Sequence, residues 1–101
     1  MEYPQLRINV QYSNMTFNIL NYNYILREIP FVDSHQKFTN NKDIINITCF
    51  TNIEFYTFIE VFNCILNKTP LRNTQYFVEY LNRLKYLGYY ALLKFFPIII
   101  L

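Results

Sequence analysis

Between Ile53 and Asn67 the apolar residues Phe55, Phe58, Ile59, Phe62, Ile65 and Leu66 recur at steps of three and four. That spacing puts them on one face of an α-helix, and Tyr56, Glu60, Asn63 and Asn67 fall on the other. The flanks agree with the face. Asn52 is placed to cap the free N–H groups, Glu54 in the first turn suits the helix dipole, and Lys68 followed by Pro70 ends the element. A helix with so wide an apolar face must be covered. The remaining chain is therefore read for what covers it.

Upstream, Leu6, Ile8, Val10 and Tyr12 alternate with polar residues, and Met15, Phe17 and Ile19 alternate again after Ser13-Asn14. Period-two alternation around a short polar turn predicts a β-hairpin. A short helix follows through Ile25, Leu26 and Ile29, capped by Asn21 or Asn23. Pro30, suited to a first helical turn, then opens a second helix toward Phe38. The polar stretch 39–43 is a surface loop, and Ile44 to Phe50 reads as a third strand with Ile45, Ile47 and Cys49 inward and Asn46, Thr48 and Phe50 outward. After the central helix another follows with Phe77, Val78, Leu81, Leu84 and Leu87 inward and Glu79, Asn82, Arg83 and Tyr86 toward water. The only glycine, Gly88, falls where a left-handed residue would close it. A final short helix is expected from Tyr89 to Phe96, then Pro97 and the apolar run Ile98 to Leu101.

One domain spanning 1–101, with 97–101 as an apolar tail, fits 101 residues, which can enclose one core. Several chemistries are excluded by what the chain lacks. With one glycine, neither a dinucleotide fingerprint nor a phosphate loop can be written. The single histidine, His35, has Ser34 and Asp33 as neighbours, and adjacent helical residues cannot converge into a triad; His35 reads as a solvated helix residue. Glu60 and Glu79 read as exposed helix carboxylates, and no further His or Cys stands at ligand spacing from His35, so no catalytic residue, metal or cofactor is expected. Cys49 and Cys64 read by default as buried reduced thiols, with a bridge between them the alternative that nothing in the spacing indicates, and this points to an intracellular, cytoplasmic protein without a leader. A net charge of +2, with lysines scattered, makes no nucleic-acid footprint, although Tyr76, Tyr80, Tyr86, Tyr89 and Tyr90 offer stacking surfaces. The C-terminal apolar run is interrupted by Lys94 and Pro97 and falls short of the roughly 20 residues a span requires.

Two motifs carry a family likeness. Ile45-Asn46-Ile47 followed by Phe55, Phe58-Ile59 and Ile65-Leu66-Asn67 resembles the strand and helix of BTB/POZ domains, a fold shared with Skp-type and elongin C adaptors; Asn67 stands where that family has a glycine. The run from Leu81 through Leu87-Gly88-Tyr89 is similar to the family's leucine-rich helix ending in Leu-Gly, and Asn23-Tyr24-Ile25-Leu26 sits where a His-Lys-aliphatic-Leu signature is usual. The resemblance covers about Ile8 to Phe96. It implies an α+β fold with a three-stranded sheet, a hairpin plus one strand, against about five short helices. It also implies a non-enzymatic protein-interaction scaffold, either an adaptor for a cullin-type ubiquitin ligase or a homodimerisation module. The composition, rich in Asn, Ile, Tyr, Phe and Lys, further resembles BTB-like proteins of giant DNA viruses, which would place the protein in a host cytoplasm.

Tyr89, Tyr90, Phe95, Phe96, Ile98 and Ile100 are the expected partner interface, because little chain remains to cover them. Folding of these rings onto the core is the competing expectation. A rival class is a small membrane-associated protein held by its apolar C-terminal tail.

Overall fold

The computed structural model describes residues 6–20, 23–38, 44–71 and 75–89. Strand β1 (Arg7–Tyr12) and strand β2 (Met15–Ile19) form an antiparallel hairpin, with Ile8 opposite Ile19 and Tyr12 opposite Met15. The loop between them is the predicted Ser13-Asn14 pair. Ser13 takes a φ of 55°, and positive φ in a two-residue loop matches the twist of the paired strands. Helices α1 (Asn23–Leu26) and α2 (Pro30–Phe38) then carry the chain across the sheet to strand β3 (Ile44–Thr48). That strand lies parallel to β1, so the sheet is mixed with order β2-β1-β3. The Cys49 N–H extends the parallel ladder to the Gln11 carbonyl at 2.7 Å. Alternation sets the faces: Ile8, Val10, Ile45 and Ile47 are buried, while on the other side the Asn9 Nδ2 donates a 3.0 Å hydrogen bond to the Asn46 Oδ1.

Helix α3 (Asn52–Asn67) packs on the inner face of the sheet and helix α4 (Phe77–Leu87) packs on α3. Being covered from two sides, α3 buries more than its predicted stripe. Phe55, Phe58, Phe62 and Ile65 are buried as expected. Thr57, Val61 and Cys64 are buried as well, and Ile59 and Leu66 sit half-buried at the margin. The N-terminal end of α3 corrects the sequence expectation. Its N-cap is Thr51, not Asn52: the Thr51 hydroxyl accepts from the Glu54 N–H at 3.1 Å, and the Glu54 carboxylate accepts from the Phe50 N–H at 3.0 Å. This is a variant of the reciprocal capping box, satisfying two amides that the helix leaves open. The helix stops at Lys68 as expected, and this residue takes the left-handed conformation (φ 55°); the Thr69 and Lys68 amides return to the Cys64 and Ile65 carbonyls.

In α4 the buried positions are Tyr80, Leu84 and Leu87, with Phe77 and Leu81 half-buried and Val78 left 64% exposed, so the inward face is rotated from the one predicted through Val78. The rotation follows from Tyr80, whose large ring lies in the core. Gly88 closes α4 at φ 69°, with the Tyr89 and Gly88 amides bonded to Leu84 and Lys85. A Cβ there would come within 3.2 Å of the Pro30 Cβ, so glycine serves both the turn and the approach of α2. The α+β architecture, the three-stranded sheet and four of the helices are as expected. The final helix and the tail 97–101 lie outside the described residues.

Candidate functional site

Two clefts flank α3 where α4 crosses it. The first has a volume of about 240 Å³ and lies between the end of β3, the start of α3 and the second half of α4. Its position follows from the capping box: Thr51 turns the chain into α3, and the bond from the Phe50 N–H to the Glu54 carboxylate holds Phe50 just outside the helix. Phe50 is 81% exposed at one rim and Tyr86 is 51% exposed at the other. Between them lie Phe58, Glu54 and Arg83. The Tyr86 ring meets Phe58 edge-on at 5.5 Å and Phe31 at 4.8 Å, so its position is fixed although half of it faces water.

Arg83 is the charged centre of this cleft, and its side chain is only 12% exposed. The sequence placed it toward water. The aromatic surround explains the difference, since its guanidinium sits 5.2 Å from the Phe58 ring centroid and trades part of its hydration for the ring face. Nη1 lies 3.8 Å from Glu79 and donates to the Thr57 hydroxyl at 3.4 Å. Thr57 in turn donates to the Ile53 carbonyl at 2.6 Å, one turn back along α3. The thiol of Cys49, buried beside this region, is pushed up from its ordinary 9.0 to about 11, by burial first and then by Glu54, with Arg83 partly opposing.

The second cleft, about 160 Å³, opens beyond Thr57 between the first turns of α3 and α4. Tyr56, Tyr76 and Tyr80 line it with Glu60, Ile53 and Thr57. Tyr80 is fully buried, and its hydroxyl donates a hydrogen bond to the Glu60 carboxylate. Burial, and then that carboxylate, hold the Tyr80 hydroxyl well above the usual phenol range. Glu60 is therefore a half-buried acceptor rather than the exposed helix carboxylate expected from the sequence.

Of the residues expected at a partner interface, Tyr89 is half-buried against the core; Tyr90, Phe95, Phe96, Ile98 and Ile100 lie outside the described residues. His35 stands on α2 as expected but is half-buried rather than solvated. Cys49 and Cys64 are both free and buried. Among the described residues no three His, Cys, Asp or Glu side chains come together as a metal site, and no helix is long and apolar enough to cross a membrane. The sequence did contain a sign of the first cleft. Phe50 is a large aromatic on the outward phase of a strand, directly before a Thr-x-x-Glu helix start. No family model, curated protein or solved structure matches this chain.

Proposed function

We propose that this chain is a non-enzymatic protein-interaction module of the BTB/POZ-like kind, acting as an adaptor for a cullin-type ubiquitin ligase or through pairing with a second copy of itself. The observation that carries the reading is the exposure of Phe50 and Tyr86 on either side of a cleft with Arg83 at its centre. Folding gains nothing from leaving an 81% exposed phenylalanine in water, whereas aromatic residues around an Arg are what binding interfaces use as anchors. Tyr86 is already held by Phe31 and Phe58, so little side-chain freedom is lost when a partner covers it. The order hairpin, two helices, strand, helices supports the finer family reading.

The test is sedimentation equilibrium of the protein alone, together with calorimetric titration against a cullin N-terminal domain. Association in at least one of the two at micromolar concentration is expected, and it should be lost in the Phe50→Ser, Tyr86→Ser double variant while the circular dichroism spectrum stays native. A protein that remains monomeric and ignores the cullin overturns the reading. Association that the double variant retains would place the interface elsewhere.

A further inference from the structure

We propose that the second cleft is a binding site for a methylated ammonium group, with Tyr56, Tyr76 and Tyr80 as its aromatic wall and Glu60 as its counter-charge. This goes beyond the protein-interaction reading and does not depend on it, since the Phe50 and Tyr86 rims belong to the other cleft. Three tyrosines and one carboxylate around about 160 Å³ is the combination that favours a cation carrying apolar surface. Ring faces attract positive charge through their quadrupole, and the attraction grows where water is displaced.

Tyr56 on α3 is 56% exposed and Tyr76, the residue just before α4, is 38% exposed at the mouth, while Tyr80 is buried and closes the inner side. Ile53 supplies an apolar contact for methyl groups. Glu60 is fixed by the Tyr80 hydroxyl, so the negative charge is held in place before any ligand arrives. The ion pairs Lys37–Asp33 and Arg83–Glu79 do not involve Glu60. Among the described residues, then, no cationic side chain is paired with this carboxylate.

The same features select against an unmodified lysine ammonium. Such a group is a compact, strongly hydrated donor that needs several acceptors in return for its water. One oxygen of Glu60 already accepts from Tyr80, the Thr57 hydroxyl is engaged by Arg83 and the Ile53 carbonyl, and the acceptors left in the lining are the Asn52 amide and the tyrosine hydroxyls, fewer and weaker than the water an ammonium gives up. A methylated ammonium needs few donated bonds, sheds water readily and presents methyl groups to tyrosine and isoleucine. The shared chemistry occurs in methylated lysine side chains and in choline, and the arms of the test separate these sources.

Backbone amide shifts of the full chain would be followed by nuclear magnetic resonance during titration with tetramethylammonium chloride, at ionic strength balanced by sodium chloride. The expected result is saturable shifts confined to residues around 52–60 and 75–80. Neopentyl alcohol, the uncharged counterpart in shape, should bind at least about tenfold more weakly if charge on the rings and Glu60 carries the affinity. Tyr56→Ala and Tyr76→Ala should each weaken binding several-fold to about tenfold. Both rings are substantially exposed, so melting temperatures should stay near that of the parent. Glu60→Gln keeps an acceptor for Tyr80 and removes only the charge, and should weaken binding of the cation but not of the alcohol. Parallel titrations with a trimethyllysine peptide and with choline then identify the source by which saturates at lower concentration. Non-saturating shifts, equal response to the uncharged isostere, or unchanged affinity in the Tyr56→Ala, Tyr76→Ala double variant would each overturn the assignment.

Discussion

Replacing Tyr80 with phenylalanine isolates one hydrogen bond in the most buried part of the helical layer. The ring stays, fully buried, and its packing on α3 is unchanged because phenylalanine fills the same space less one oxygen. What is lost is the donor to Glu60. A bond to an ionised acceptor contributes about 1.5–3 kcal/mol, and leaving a buried partner unsatisfied adds to the loss. Glu60 is half-buried, so water can replace part of what Tyr80 supplied, which places the expected cost near the low end, at about 1.5 kcal/mol. Against the roughly 5–15 kcal/mol total of a domain, this is a measurable share. In urea, with a slope on the order of 1.5 kcal/mol per molar, the midpoint should fall by about 1 M without a change in slope. The assay is completed by Glu60→Ala and the double variant. If the two residues act as a pair, the double variant should be more stable than the sum of single effects predicts, by about 1 kcal/mol. A Tyr80→Phe loss below about 0.5 kcal/mol, or additivity within that margin, would show that the hydroxyl and carboxylate do not interact in solution.

Phe58→Ala should cost about 3–5 kcal/mol by equilibrium unfolding, since it removes a buried ring that stacks on Phe62 and underlies Arg83; a loss below 1 kcal/mol would contradict the burial. Gly88→Ala should destabilise by roughly 1–3 kcal/mol, combining a left-handed φ with a Cβ pressed on Pro30, and a raised melting temperature would refute both contributions. Thr51→Ala should cost about 1 kcal/mol and Asn52→Ala less than half of that, because only Thr51 caps α3; the reverse order would restore the cap to Asn52. The native thiol of Cys49, raised to about 11, binds its proton more tightly than the unfolded thiol. Its contribution is complete below about pH 9 and is lost as pH rises toward 11; native protein should alkylate at Cys49 far more slowly at pH 8.5 than protein in urea, and equal rates would count against the shift.

Local periodicity sufficed for β1, β2 and β3, the span of α3 and the glycine stop of α4, because these depend on residues close in the chain. Alternating Ile8 and Val10, or Ile45 and Ile47, can be satisfied only by one buried sheet face. What the sequence left undetermined was which faces would be covered twice. Thr57 carries no apolar signal and is buried where α4 crosses α3; Val78 is apolar and stays exposed because Tyr80 claims the inward position. The choice of cap was written locally in Thr51-x-x-Glu54, yet Asn52 competed for it, and the fold decided by leaving Phe50 outside the helix. Both clefts are tertiary in origin. Arg83 and Phe58 lie on different helices, as do Tyr80 and Glu60, and no spacing rule along one chain can foretell which side chains meet when two helices cross. Pairing was therefore fixed by packing: the sheet held α3, α3 held α4, and the crossing brought a cation to an aromatic ring on one side and a carboxylate to three tyrosines on the other.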